Sequence, residues 1–132
     1  MVKEFQDIPK EVELIAKQTI DCAFKVHKAL GPGLLENVYE ICFCHELKKH
    51  GLSFQRQVQV PVRYDNIYFD IGFRLDVMVE DKIICELKSV IELIPVFDAQ
   101  VLSHMKLTGK RLGFLINFNV PVIKKGIKRF VI

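Results

Sequence analysis

The sequence predicts an α/β domain in which helices cover a central mixed β-sheet. Two observations lead to this prediction: apolar residues recur at helical spacing before Gly51, and their period changes to two after Ser53. A further helical segment then separates the strands into two groups. The 132 residues suffice to bury one core, so we expect a single domain over residues 1–132.

Three helices are indicated by apolar periodicity between turn signals. Proline in the first turn and glycine just past the end are typical of helix boundaries, and both occur here. The predicted helices run from Asp7-Ile8-Pro9 to Gly31, from Leu34 to His50 and from Val96 to Thr108.

Five strands complete the predicted order, which is helix, helix, three strands, helix, two strands. Because a helix connects the third strand to the fourth, we expect those two strands to be parallel. The predicted strands cover residues 54–62, 67–79, 82–90, 111–118 and 122–132, with a turn at Asp65-Asn66.

Charged residues interrupt two of these otherwise apolar strands. Asp76 lies in the second strand, and Glu86 and Lys88 lie in the third. A charge near a core costs several kcal/mol unless it is paired or binds a metal, so its presence needs a reason. Side chains alternate along a strand, and Glu86 and Lys88 therefore share one face.

The hairpin register decides whether these charges meet. If Glu80-Asp81-Lys82 is a three-residue loop, Val79 pairs with Ile83 and Asp76 lies opposite Glu86 on the same face. Directly opposed Cβ atoms are roughly 5 Å apart, which is close enough for two carboxylates to share a divalent cation. A two-residue loop would place them on opposite faces unless a β-bulge intervened.

Oxygen ligands of this kind suit Mg²⁺ or Mn²⁺. Mg²⁺ is commonly held by one or two carboxylates while it keeps several waters, which fits Asp76 and Glu86, and the Leu87 carbonyl could add a ligand. Lys88 could orient or deprotonate a water. The residues thus predict a metal-and-base site suited to phosphodiester hydrolysis.

These residues, in this order, resemble the PD-(D/E)XK nuclease superfamily. The segment Gly33-Leu34-Leu35-Glu36-Asn37-Val38-Tyr39 is similar to the signature of its GxxExxY branch, and the similarity covers nearly the whole chain. It continues through Asp76, Glu86-Leu87-Lys88, Ala99-Gln100, Lys106-Leu107-Thr108-Gly109 and Leu115-Ile116-Asn117-Phe118.

The resemblance implies a restriction-endonuclease-like core. It implies that Asp76 and Glu86 bind Mg²⁺, that Lys88 positions or deprotonates water, and that Glu36 and Gln100 complete the site, with Glu36 a further candidate metal ligand. The implied partner is nucleic acid, with DNA favoured. We expect a cytoplasmic protein with no membrane span, and its oligomeric state stays open.

Three positions depart from the family pattern. Phe97 stands where the branch commonly has His, His104 replaces an aromatic residue, and Leu75 replaces the proline of the superfamily name. The candidate metal ligands are unaffected, but the departures bear on substrate preference and turnover.

Several candidates also have structural explanations. A carboxylate such as Glu36 is favoured in the first turn of any helix, and Tyr39 and Gln100 can serve a helix end. Tyr39, Lys124 and Lys125 are weaker candidates for substrate binding. A basic last strand formed by Lys124, Lys125, Lys128 and Arg129 could contact phosphate or guard a sheet edge equally well.

The remaining histidines and cysteines carry little signal. The four histidines form no metal-binding motif, and we expect surface or satisfied core histidines. The four cysteines form no C-x-x-C pair and fit small buried hydrophobes.

Three functions remain open at this point. The first is a metal-dependent nuclease, which the Asp76, Glu86 and Lys88 set favours. The alternatives are a catalytically silent nuclease-like module that binds nucleic acid, and a protein-interaction module. The formal charge of +3 permits a polyanionic partner without requiring one.

Overall fold

A computed structural model describes residues 7–132 and has the predicted α/β architecture. A five-stranded sheet has the order β1-β2-β3-β4-β5, and only the β3–β4 pair is parallel, as predicted from the connecting helix. The elements are α1 (Lys10–Leu30), α2 (Glu36–Lys49), β1 (Phe54–Tyr64), β2 (Ile67–Val79), β3 (Ile83–Lys88), α3 (Pro95–Thr108), β4 (Leu112–Asn117) and β5 (Ile127–Val131).

Helices cover both faces of the sheet. The larger core joins α1 and α2 to one face and includes the fully buried Phe43, Leu47 and Phe118. The smaller core lies under α3, where Val101 and Met105 contact Ile84 and Leu115. Burial of each such side chain contributes about 1.5–3 kcal/mol, so the two cores fix both helical layers against β3 and β4.

The distal parts of β1 and β2 extend beyond β3 as a two-stranded ribbon. β3 pairs with β2 only from Val77 to Val79, whereas β1 continues along β2 to the turn at Asp65-Asn66. Tyr64, Ile67, Tyr68, Phe69 and Ile71 are exposed on this ribbon.

The last strand begins later than the predicted range 122–132. Residues Ile123–Gly126 form a 3₁₀ turn, and β5 starts at Ile127. The turn inserts Ile123 into the larger core and lays Gly126 against the carbonyl oxygen of Asn117, where a Cβ atom would be only 2.2 Å from that oxygen. The period-two interpretation therefore failed where packing overrides local pattern.

The cysteines are free thiols, and three of the four are buried. Burial raises the pKa of Cys22 to about 11 and that of Cys44 to about 12. Both cysteines are therefore neutral at physiological pH and belong to the packing. Within residues 7–132, no helix is long and apolar enough to cross a lipid bilayer.

The contact between Gly126 and Asn117 predicts a specific destabilisation. Gly126→Ala should lower the free energy of unfolding by about 1–3 kcal/mol, because the new methyl group meets backbone that cannot rotate away. Urea denaturation measures this change. Lys125→Ala in the same exposed turn is the control and should stay within about 0.5 kcal/mol of wild type. Equal stability of the two variants would contradict the packing argument.

Candidate active site

A three-residue hairpin loop brings the two central carboxylates together. Val79 pairs with Ile83 across Glu80-Asp81-Lys82, as predicted, and the same register sets Asp76 opposite Glu86. The Asp76 Oδ2 atom accepts a hydrogen bond from the Leu87 backbone N–H at 2.8 Å. Because the N–H and C=O groups of a strand residue point to the same edge, the Leu87 carbonyl is directed toward β2 as well.

Asp76 is difficult to ionise in this position. Burial raises its pKa to about 7, and the charge of Glu86 adds to the effect. The Leu87 N–H opposes the shift, whereas Glu36 and a hydrogen bond with Glu86 reinforce it. Two carboxylates that share one partly desolvated space cannot both ionise freely unless a cation joins them.

Glu86 is buried and hydrogen-bonded to α3. The Nδ1 atom of His104 lies 2.7 Å from the Glu86 Oε1 atom. The imidazole stacks on the Phe73 ring with centroids 4.4 Å apart and an interplanar angle of 10°. Strand β2 therefore supplies Asp76 and also, three residues earlier, the ring that supports the histidine beside Glu86.

Lys88 follows Glu86 by two residues and is half-buried at the end of β3. Its Nζ atom lies 4.4 Å from the centroid of the Phe97 ring, over the ring of this α3 residue. The ammonium is thus held on the side of the sheet that α3 covers.

Glu36 begins α2 and is exposed. The pKa of Glu36 is raised above its ordinary value, chiefly because the carboxyl is desolvated. The positive charge of Lys88 opposes this shift, and the negative charges of Glu40 and Glu86 add to it. Glu36 therefore lies within electrostatic range of Lys88 and Glu86, and the N-terminus of α2 lies near the two central carboxylates.

Tyr39 lies in the core and contributes to the loop geometry. It is fully buried, its ring stacks on Phe118 at 4.7 Å, and its hydroxyl donates to the Gly31 carbonyl at 2.6 Å. The same hydroxyl accepts from the Leu34 N–H at 3.1 Å. This burial argues against the expected substrate contact. The phenol instead closes the Gly-Pro-Gly turn that precedes Glu36 at the start of α2.

The other predicted site residues lie on the surface. Gln100 is exposed on α3, and Lys124 and Lys125 are exposed on the 3₁₀ turn instead of on a strand. Within the described chain, none of the three forms a hydrogen bond with Asp76 or Glu86. On β5 the basic residues are paired: Lys128 with Asp98 at 3.1 Å, and Arg129 with Glu13.

The donor set fits a cation held by few protein ligands. No three His, Cys, Asp or Glu side chains in residues 7–132 are arranged to hold a metal ion together. The Asp76 and Glu86 carboxylates remain, with the Leu87 carbonyl beside them. Two carboxylates and waters are an ordinary environment for Mg²⁺.

A comparison with protein families decides the relationship. Residues 13–130 match the family model described as PD-(D/E)XK nuclease superfamily. The chain belongs to the PD-(D/E)XK nuclease superfamily. No curated protein and no solved structure matches the chain. Membership indicates a nuclease-like function and a nucleic-acid substrate, and superfamily nucleases generally use divalent metal ions.

This superfamily member contains a second polar cluster beside the acids that sequence reasoning missed. Glu40 on α2 is 4% exposed and accepts hydrogen bonds from Arg56 at 2.8 Å and from Gln57 at 2.6 Å. Gln57 has a positive φ of 50°, and the β1–β2 register sets it opposite Asp76. The sequence does contain one indication that Glu40 is buried. Glu40 precedes Phe43 by three residues and Leu47 by seven, so it lies on the apolar side of the helix.

His104 is the other residue whose contact with the acids was not predicted from the sequence. We expected a surface or satisfied core histidine, and it is the hydrogen-bond partner of Glu86. No histidine motif could have indicated this contact, because it depends on how α3 packs across β3.

The raised pKa of Asp76 predicts how stability depends on pH. The pKa of Asp76 is about 7 in the folded chain, against an ordinary value of 3.8. Its protonation therefore contributes to the free energy of unfolding in full below about pH 4, and this contribution is lost as the pH rises through 7. In metal-free buffer the loss should reach at most about 4 kcal/mol, since one pKa unit corresponds to about 1.4 kcal/mol. Chemical denaturation between pH 4 and pH 8 measures it.

Asp76→Asn should flatten this profile and be the more stable protein at pH 8. Asp70→Asn, on the exposed ribbon of the same strand, serves as the matched control and should keep the wild-type profile. A wild-type slope that survives in Asp76→Asn would assign the titration to another group.

Proposed function

We propose that this chain is a metal-dependent nuclease of the GxxExxY branch that hydrolyses phosphodiester bonds in nucleic acid, with DNA as the favoured substrate. The observation that carries the proposal is the juxtaposition of Asp76 and Glu86 across one hairpin, with Lys88 next along the same strand face. Nothing in ordinary packing requires three charged groups at this point of a buried sheet.

Asp76 and Glu86 would hold Mg²⁺ or Mn²⁺, and the Leu87 carbonyl is a further candidate ligand. Such an ion activates a bound water and offsets negative charge on phosphate oxygens. Burial, and after it the charge of Glu86, raises the pKa of Asp76, and a cation held by both carboxylates would oppose both effects, which supports this assignment. Glu36 is assigned a supporting role at the start of α2, within electrostatic range of Lys88 and Glu86.

Lys88 would act on the attacking water or the phosphate. Its ammonium is held over Phe97 beside Glu86, and a lysine so placed can orient a water or offset charge on the phosphate. Gln100 and the exposed Lys124 and Lys125 are assigned substrate contact, because phosphate neutralisation by surface lysines requires no burial. The cytoplasm is proposed as the compartment, because all four cysteines are free thiols.

Metal binding should stabilise the folded chain. At a concentration one hundredfold above its Kd, Mn²⁺ or Mg²⁺ should add about 2.7 kcal/mol and raise Tm by several degrees. Asp76→Asn should lose most of this gain, and Asp70→Asn should keep it. Differential scanning calorimetry with and without metal measures both. An undiminished response in Asp76→Asn would remove Asp76 from the ligand set.

Catalysis should depend on Lys88 separately from metal binding. With Mn²⁺ present, Lys88→Ala should lose about a hundred- to ten-thousandfold in turnover, as expected for one positioned general base, and should retain metal binding. Glu86→Gln should lose both. The assay uses single- and double-stranded DNA and RNA at low salt, with identically purified wild type and the exposed α3 variant Lys106→Ala as control.

Equal cleavage by wild type, Lys88→Ala and Glu86→Gln would assign the activity to a contaminating nuclease. If none of the proteins cleaves while all bind nucleic acid, the chain is a binding module and the enzymatic proposal fails.

A further inference from the structure

We propose that α3 carries two positioning residues with separate duties: His104 orients Glu86 for the cation, and Phe97 orients Lys88 for the water or phosphate. The inference rests on the proposed function, because it assigns duties toward the proposed metal ligand and the proposed catalytic lysine. It concerns two of the three positions at which the sequence departs from the family pattern, Phe97 and His104.

The spacing on the two elements matches. Phe97 and His104 are seven residues apart, which is two helical turns, so both side chains lie on the same face of α3. Glu86 and Lys88 are two residues apart and share one face of β3. One helix laid across one strand can therefore bring an aromatic ring to each of two functional side chains, and both contacts are present.

His104 restricts how the Glu86 carboxylate can rotate. In the tautomer that carries its proton on Nδ1, His104 donates a hydrogen bond to the Glu86 Oε1 atom over 2.7 Å. Stacking on Phe73 holds the imidazole plane, and the His104 side chain is 16% exposed. The carboxylate is therefore fixed before any cation arrives, and such outer partners of a metal ligand strengthen metal binding.

Phe97 performs the corresponding task for a flexible side chain. A lysine ammonium lies at the end of a flexible four-carbon chain and can adopt many positions unless another group holds it. Within residues 7–132 Lys88 forms no ion pair, and its Nζ atom lies 4.4 Å from the Phe97 centroid. The attraction of a cation to the ring face keeps the ammonium beside Glu86 without neutralising it.

If the two residues have separate duties, substitution of His104 should change metal binding, and substitution of Phe97 should change turnover but not metal binding. His104→Phe keeps an aromatic ring but removes the nitrogen donor, and Phe97→Leu removes the ring but leaves the volume largely filled. His104→Asn restores a nitrogen donor at the position of Nδ1, and Phe97→Tyr restores the ring. His45→Phe on α2 and Phe24→Leu on α1 are exposed matched controls.

Each variant is examined for its Mn²⁺ Kd by electron paramagnetic resonance and for kcat at saturating Mn²⁺. His104→Phe should weaken Mn²⁺ binding about ten- to hundredfold, and His104→Asn should recover part of that loss. Phe97→Leu should leave the Kd unchanged and lower kcat about tenfold, with recovery in Phe97→Tyr. The controls should match wild type in both quantities.

Unchanged or tighter Mn²⁺ binding by His104→Phe would overturn the role of His104, and an unchanged kcat in Phe97→Leu would overturn that of Phe97. Equal losses of both quantities in both variants would indicate general damage to α3 and would also overturn the inference.

A metal-free measurement separates this inference from the proposed function. ¹⁵N NMR of the histidine ring in wild type should report an Nδ1–H tautomer for His104, and the signal should persist in Phe97→Leu. If the tautomer is present but wild type binds no Mn²⁺, the proposed function fails while the His104 contact stands. If wild type binds Mn²⁺ through Asp76 but His104 carries no proton at Nδ1, the inference fails alone.

Discussion

The unfavourable proximity of two carboxylates is the constraint on which the site depends. Asp76 and Glu86 face each other across a hairpin whose length fixes their register, and burial raises the pKa of Asp76 to about 7. Alternative registers that differ by one residue would separate the acids. The fold therefore holds a strained electrostatic arrangement in place with the packing of both cores, and a divalent cation is the simplest partner that would relieve it.

The two helical layers contact the surroundings of Asp76 and Glu86 in different ways. Helix α3 contacts it directly, through the His104 bond to Glu86 and the Phe97 ring at Lys88. Helix α2 contributes indirectly, because the buried Tyr39 hydroxyl closes the turn that precedes Glu36, the first residue of α2. Burial of Glu40 with Arg56 and Gln57 then joins α2 to β1 beside the acids. Side chains of α2, α3 and β1 thus lie around the end of the β2–β3 hairpin that carries the two acids.

Local sequence signals account for much of this arrangement. The bounds of β2 and the three-residue loop could be predicted because alternation and a short polar turn leave few registers. The parallel β3–β4 pair followed from the helix between them. The start of β5 could not be predicted in the same way. The 3₁₀ turn before it is stabilised by the burial of Ile123 and by the close packing of Gly126 against Asn117, and both are tertiary contacts that local sequence does not reveal. The contacts of His104 and Tyr39 could not be predicted for the same reason, since they depend on helix packing and on the hydrogen bonding of loop backbone groups.

We infer that Asp76 and Glu86 together hold a divalent cation, and anomalous diffraction from crystals grown with Mn²⁺ is the sharpest test of this inference. We expect an anomalous peak between the two carboxylates in wild-type crystals and no such peak in crystals of Asp76→Asn. Wild-type crystals with no peak between these side chains at saturating Mn²⁺, or with Mn²⁺ bound elsewhere while the two carboxyl groups remain hydrogen-bonded to each other, would refute it.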